Sequence, residues 1–226
     1  MKKGKIVLLS VLAVVLIAVA ALCIFLLPWT QHWGTNAPGA WYAFHSPSGD
    51  LVLFGGGQLQ DIYLPNTSFA QSSSEDYFVK MVPELEDVRT QVKRLILLEG
   101  YQNLNGMLLP GFDNVQEVWI PASVQSIGTA SNDFTFDVFA YSSVKTIYFC
   151  GDAPEISPET FQGIQDPASL TIVYRPGAKG FTGKWEQFHL VEEDFTCIHS
   201  RYTWLNQIYG TIKRVVLGNL GFPAAQ

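Results

Sequence analysis

The chain has 226 residues, of which 20 are acidic and 14 are basic, and its formal net charge at pH 7 is −6. Such a surface repels phosphate backbones, and no stretch beyond the first five residues concentrates lysine and arginine, so we expect no nucleic-acid partner. The length suits one compact domain or a short repeat array behind a terminal segment.

The first 28 residues differ from the rest of the chain. Lys2, Lys3 and Lys5 precede an uncharged run from Ile6 to Leu27 that is rich in Leu, Val, Ala and Ile. A helix of this length rises by ~33 Å at ~1.5 Å per residue, which is enough to cross a hydrocarbon core of ~30 Å. We therefore predict that residues 1–28 form an uncleaved transmembrane anchor, with a cleaved secretory signal as the alternative.

The lysines also predict the orientation of this anchor. Positively charged flanks stay on the cytoplasmic side, so the chain is expected to be a single-pass membrane protein with its remaining domain outside the cytoplasm. If the segment is cleaved, the domain is secreted instead. Residues 29–40 contain Pro, Gly and Asn without periodicity and are predicted to be a linker.

Residues 41–64 are predicted to be an N-terminal β-hairpin cap. Two apolar runs, Trp41–Phe44 and Leu51–Phe54, flank the turn segment His45-Ser-Pro-Ser-Gly-Asp50. The glycines that follow, Gly55 to Gly57, lack the Lys-Ser/Thr of a phosphate loop and open no helix, so no nucleotide site is expected.

Two less regular segments follow the hairpin. Leu59–Leu64 has an apolar pattern that could form a further strand. Residues 65–91 are polar and irregular and are predicted to be a loop or helical insert, with a glycosylation sequon at Asn66.

A pattern with apolar residues at the first, fourth and sixth positions recurs within residues 92–188. It occurs in Val92–Leu97, Val115–Ile120 and Val144–Phe149, and a shortened version occurs in Leu170–Tyr174. A strand that recurs roughly every 20–29 residues is typical of leucine-rich solenoids, in which each unit buries its apolar face against its neighbours. We therefore predict a β-rich (α+β) solenoid, a short leucine-rich repeat array.

Several of these segments resemble BspA-type leucine-rich repeat proteins of bacterial cell surfaces. The resemblance rests on Ile120-Pro-Ala-Ser-Val-Gln-Ser-Ile-Gly128, on Val144–Phe149, and on Gly151–Ile156 followed by Phe161-Gln-Gly163. Leu170–Tyr174 with the residues after it is similar to the closing strand and cap of that family. The resemblance implies a role in binding, adhesion or surface display, and it implies no catalytic residues.

The third and fifth positions of successive strands predict a binding face. Side chains alternate along a strand, so these positions point away from the core and form two outward rows. The fifth-position row is Ile96, Trp119 and Tyr148, and the third-position row is Arg94, Glu117 and Thr146. Exposed aromatic rows often mark binding surfaces, while cross-strand stacking that only stabilises the sheet is the alternative.

Residues 189–226 fall outside the resemblance. Apolar residues recur at helical spacing between Arg201 and Leu217, which predicts an amphipathic helix that docks on the end of the array as a C-terminal cap. Binding to a partner or to a membrane surface is the alternative.

The sequence contains few candidates for chemistry. It has no Gly-x-Ser-x-Gly elbow, and His189 with Glu192 and Glu193 lacks the further ligands of a zinc site, so neither catalysis, a cofactor nor a metal is predicted. Cys150 and Cys197 could pair as a disulfide outside the cytoplasm, and two unpaired buried thiols are the alternative.

These observations predict a non-enzymatic, membrane-anchored module that binds an extracellular protein or glycan. The alternative is a structural component or spacer of the cell envelope.

Overall fold

A computed structural model describes residues 11, 13–22, 33–37, 40–58, 88–104, 112, 114–128, 138–139, 142–157, 160–161, 164 and 167–212. Four predicted features lie outside the described residues: the Leu59–Leu64 strand, the Asn66 sequon, residues 65–87 of the insert, and residues 213–226.

The described part of the chain is mostly β-sheet with few helices. In chain order, the strands are β1 (Trp33–Ala37), β2 (Ala40–His45), β3 (Asp50–Phe54), β4 (Gly57–Gln58), β5 (Arg94–Leu97), β6 (Tyr101–Leu104), β7 (Glu117–Ile120), β8 (Ser126–Ile127), β9 (Thr146–Phe149), β10 (Glu155–Ile156), β11 (Thr171–Tyr174) and β12 (His189–Glu192). Short 3₁₀ turns occur at Pro167–Ser169, Gly183–Gln187 and Ile198–Arg201, and helix α1 spans Thr203–Ile212.

The predicted hairpin is present. β2 and β3 pair antiparallel, and the backbone N–H groups of Ser48 and Gly49 donate to the carbonyl of His45 to close the turn. β1 pairs antiparallel with β2, so the linker prediction for residues 29–40 is wrong for Trp33–Ala37. The linker was predicted from its lack of apolar periodicity, but an edge strand is held by backbone hydrogen bonds, which require no such periodicity.

The strands predicted from the recurring pattern stack in parallel and in one register. β3, β5, β7, β9 and β11 are successive neighbours in an eight-stranded sheet, which β12 extends at the far edge. Each ladder begins about two residues after the predicted start, but the leading residues Val92, Val115 and Val144 are buried in the core as expected.

A second, four-stranded sheet was not predicted. β4, β6, β8 and β10 pair in parallel, and each follows one strand of the larger sheet along the chain. Side chains from both sheets, including Leu95, Val118, Tyr101 and Ile127, belong to one apolar cluster. Successive segments of the chain therefore alternate between two sheets that share a core.

The glycine run after β3 has a structural role in this stacking. Gly56 and Gly100 occupy corresponding places after β3 and β5, with φ angles of 92° and 122°. A Cβ atom on Gly56 would lie 2.9 Å from the carbonyl oxygen of Gly100. The two backbones pass so closely that neither position accommodates a side chain without a shift.

The N-terminal helix is described only in part. Residues 11 and 13–22 are helical and exposed, whereas residues 1–10 and 23–28 lie outside the described residues. Within the portion that is described, no helix is both long and apolar enough to cross a membrane. The anchor at residues 1–28 stays a prediction.

The C-terminal extension differs from its prediction in two ways. His189–Glu192 forms β12, which pairs in parallel with β11 and is not part of a helix. The amphipathic helix is present as α1, but it packs against β3 on a face of the larger sheet instead of capping the end of the array. Docking there buries apolar side chains that the sheet would otherwise expose to water.

Close contact between successive turns of the chain predicts the effect of one substitution. In Gly151→Ala the new Cβ would lie 2.7 Å from the Cα atom of Ala122, so we expect a loss of about 1–3 kcal/mol in the free energy of unfolding. Gly210→Ala is the control, because nothing lies within 4 Å of its added Cβ and a helical alanine should stabilise α1 by about 0.5–1 kcal/mol. Urea unfolding of both variants measures the difference, and equal stabilities would contradict the predicted contact.

Candidate binding face

The register aligns both predicted rows across neighbouring strands. Trp119 pairs with Ile96 on one side and Tyr148 on the other, and the third-position residues are aligned in the same way. The rings of Trp119 and Tyr148 stack with centroids 4.0 Å apart and planes 6° from parallel. Cross-strand stacking, the alternative reading of this row, is therefore present.

Two of the three residues in the aromatic row are buried. Ile96 is 0% and Trp119 is 8% exposed, and Tyr148 is half-buried. Phe195 contacts the rings of Trp119 and Tyr148 edge-on, at centroid distances of 5.7 and 5.5 Å. The prediction that this row is solvent-exposed is therefore wrong for Ile96 and Trp119, because the chain covers its own apolar face.

We call residues 194–212 the C-terminal strap. It contributes Ile198, Tyr202 and Leu205 to a second apolar cluster with Ile96 and Trp119. The strap crosses several strands, since Phe195 meets β7 and β9, while Tyr209 meets the ring of Trp41 on β2 at 6.1 Å. The second apolar cluster therefore joins the strap to the side of the sheet that faces away from the main core.

A buried charge fixes the strap over the hairpin. Asp50 is fully buried, and Arg94 binds it through two contacts, Nε to Oδ1 at 2.5 Å and Nη2 to Oδ2 at 3.0 Å. The hydroxyl of Tyr202 donates a hydrogen bond to Oδ2 of the same carboxylate. Burial, together with the bond to Asp50, raises the pKa of Tyr202 to about 12. A buried carboxylate is tolerated only when it is paired in this way.

Two further attachments hold the strap. The side-chain amide of Asn206 accepts from the N–H of Gly55 at 3.0 Å and donates to the carbonyl of Glu99 at 2.9 Å. A disulfide joins Cys150, next to β9, to Cys197 in the strap. The structure thus brings together the two cysteines that the sequence offered as a pair.

Two residues of the predicted face, Arg94 and Glu117, line a polar groove at the beginnings of the strands. It has a volume of about 480 Å³. Its lining residues are Ser48, Thr90, Lys93, Arg94, Asn114, Gln116 and Glu117. Arg94 and Glu117 therefore line an open site, whereas Thr146 does not belong to it.

Residues at equivalent positions of successive units contribute to the groove. Lys93, Gln116 and Lys145 are exposed and stand at the same place in successive units, immediately before the ladder. Their backbones are linked, since the N–H of Gln116 donates to Lys93 and the N–H of Lys145 donates to Gln116. These three residues occupy the second position of each predicted strand. The recurring pattern was defined by its apolar positions, so it did not identify this polar row as exposed.

The polar groups of the groove suit hydrogen bonding to an extended polar ligand. Amides, hydroxyls, a lysine and a carboxylate provide both donors and acceptors in one open site. Arg94 is committed to Asp50, so Lys93 is the cation that a ligand can pair with. Glu117 is 3.5 Å from the indole N–H of Trp119, which connects the groove to the covered row.

The structure places His199 beside the cysteine pair, which the sequence did not indicate. Cys150, Cys197 and His199 each place one ligand atom within 4.8 Å of the others. Burial lowers the pKa of His199. The sequence signal for this cluster is limited to Cys197 and His199, which are two residues apart. Cys150 lies 47 residues before Cys197, so no local motif links it to them. Among the described residues, His189, Glu192 and Glu193 form no such cluster.

The chain was compared with protein-family models, curated proteins and solved structures. No protein-family model and no curated protein matches the chain. A solved structure of a leucine-rich repeat protein from Eubacterium ventriosum ATCC 27560 is similar at 13% identity, with a TM-score of 0.30. The match covers 69% of this chain and 43% of that chain. A TM-score of 0.30 is too low for this likeness to support an assignment of fold or function.

The bond between Tyr202 and Asp50 predicts how stability depends on alkaline pH. The pKa of Tyr202 is about 12 in the folded chain, against about 10 for an unperturbed tyrosine. The folded state therefore holds this proton more tightly, so its stabilising contribution is complete below about pH 10 and is lost as the pH rises towards 12.

The variant Tyr202→Phe isolates this effect. We expect it to lower the free energy of unfolding by about 1–3 kcal/mol at pH 8, because Asp50 loses a buried hydrogen-bond donor. Its stability should also fall less steeply than that of the wild type between pH 10 and 11.5 in urea titrations. The other tyrosines affect both proteins equally, so identical pH slopes would refute the assignment.

Proposed function

We propose that this chain is an extracytoplasmic leucine-rich repeat module, anchored in the membrane by residues 1–28, that binds a protein or a glycan. The polar groove that contains Lys93 and Gln116 is the contact site. The observation that carries the proposal is the groove itself, an open site built from equivalent positions of successive strands.

The chain alternates between two sheets whose recurring strands pair in parallel, which supports a solenoid architecture. One-register pairing from β3 to β11 means that each unit contacts its neighbours through equivalent residues. Repeat proteins of this kind present a row of side chains along one surface, and ligands bind along that row. The exposed row in this chain is Lys93, Gln116 and Lys145.

The chemistry of the groove favours a polar ligand over an apolar one. The lining contains amide, hydroxyl and charged groups, while the nearby aromatic rings are covered by the strap. Sugar hydroxyls and the backbone of an extended peptide offer the donors and acceptors that such groups bind. The aromatic row thus serves as the base on which the strap packs, and the groove beside it is the binding site.

The anchor and the location rest on the N-terminal sequence. Lys2, Lys3 and Lys5 before an uncharged run to Leu27 are typical of a membrane helix whose N-terminus is cytoplasmic. The disulfide between Cys150 and Cys197 supports an oxidising compartment for the domain.

A spacer role in the cell envelope is the second candidate. The covered aromatic face favours it, since a module that buries its apolar row under its own strap has lost the most common kind of protein-binding surface. The two candidates differ in one measurable property, which is whether the groove binds anything.

Array binding of the purified full chain tests the groove. We expect the double variant Lys93→Ala/Gln116→Ala to lose at least about tenfold in affinity for a ligand found on a glycan or peptide array, because a cation and an amide leave the site. The matched control is Lys179→Ala/Gln207→Ala, which removes the same two groups at exposed positions outside the groove. Absence of any ligand on both arrays would favour the spacer, and equal loss in the control would place the site elsewhere.

Protease treatment of intact cells tests the anchor. We expect the domain to be digested while an N-terminal fragment remains in the membrane fraction, because residues 1–28 hold it there. Detection of that fragment with an N-terminal tag is the measurement. A released, soluble protein that begins after Ala20 would contradict the anchor and support a cleaved signal.

A further inference from the structure

The cluster of Cys150, Cys197 and His199 lies on the covered face, apart from the groove. Cys150 is held in place by the ladder, since its N–H donates to the carbonyl of Ile120 at 3.0 Å. Cys197 and His199 belong to one tight turn, in which Ser200 N–H donates to Cys197 and Tyr202 N–H donates to His199. Two separate backbone frameworks therefore converge on this point.

His199 is a buried histidine whose imidazole is only partly paired. Its side chain is 6% exposed, and its Nε2 atom has no hydrogen-bond partner among the described residues. A buried polar atom without a partner is costly and calls for an explanation such as a bound ion. One ring nitrogen of His199 and the two sulfur atoms lie within 4.8 Å of one another.

We propose that Cys150, Cys197 and His199 form a redox-gated site for a thiophilic divalent cation of the zinc class. The disulfide is the closed form, and the reduced thiols with the imidazole are the open form. Two cysteines and one histidine are a ligand set that zinc uses, with a fourth position left for water. The proposal is independent of the function assigned to the groove.

The conversion between the two forms balances as a dithiol exchange. A thiolate of the reductant attacks one sulfur of the Cys150–Cys197 bond, the S–S bond breaks, and its electron pair leaves on the other sulfur. The second thiol of the reductant then displaces the remaining cysteine, so the reductant becomes a cyclic disulfide and both cysteines become thiols. The cation binds the two sulfurs with release of two protons and takes the lone pair of the imidazole.

The strap does not depend on the disulfide alone. Cys150 and Cys197 are half-buried. After reduction, the Tyr202 bond to Asp50 and the bonds of Asn206 still hold the strap on the sheet. The three ligands therefore stay close together in the reduced chain, and a bound cation replaces the lost covalent link between β9 and the strap.

Cobalt titration of the full chain tests the site. The protein, in mild detergent and with Cys23→Ser to remove the third cysteine, is reduced with dithiothreitol and freed of it by anaerobic gel filtration. We expect the reduced chain to bind one Co²⁺ with a thiolate-to-cobalt charge-transfer band that stoichiometric Zn²⁺ abolishes. The oxidised chain should show no such band.

Variants separate the histidine from the thiols. His199→Asn should weaken Co²⁺ binding at least about tenfold while the thiolate band remains, and His189→Asn, which changes an exposed histidine on β12, should bind as the wild type does. X-ray absorption of the zinc-loaded reduced chain gives a second measurement that needs no variant, with two sulfur atoms at about 2.3 Å and the remaining ligands nitrogen or oxygen.

Three outcomes overturn the proposal. The first is a reduced chain without the charge-transfer band, and the second is an unchanged affinity and spectrum in His199→Asn. The third is loss of the native circular dichroism on reduction, because the site requires the fold to bring its ligands together.

Discussion

Parallel pairing of β3, β5, β7, β9 and β11 in a single register places equivalent residues of successive units side by side. Because side chains alternate along each strand, this register generates one apolar row inside and a second one outside. The inner row meets the smaller sheet and forms the main core. The outer row needs a cover, because parallel sheets are stable in water when both faces are buried.

The C-terminal strap is the cover that this constraint requires. It follows the last strand directly, crosses the sheet from β9 to β2, and buries Ile96 and Trp119 with its own apolar side chains. Its attachments combine one covalent link with hydrogen bonds to a buried carboxylate and to the backbone. The groove at the beginnings of the strands is lined by polar residues and is the candidate binding surface.

The same register also brings reactive groups together at a second place. Cys150 continues the ladder of β9, and the strap carries Cys197 and His199 to it. The strap therefore has two consequences: it removes the aromatic row from solvent, and it assembles a cysteine–histidine cluster beneath it. The proposed ligand site and the proposed cation site both depend on where the strap lies, but they share no residue.

The sequence by itself determined the features that local patterning encodes. It predicted the hairpin, the recurring strands and the alignment of Trp119 with Ile96 and Tyr148. These features were predictable because alternation along a strand is a property of neighbouring residues. The smaller sheet could not be predicted from the sequence, since strands as short as Ser126–Ile127 have no recognisable periodicity. Only the tertiary structure decided that the aromatic row is covered, that Asp50 meets Tyr202, and that Cys150 meets His199. Those contacts join residues tens to more than a hundred positions apart, and no local pattern records where a distant segment will pack.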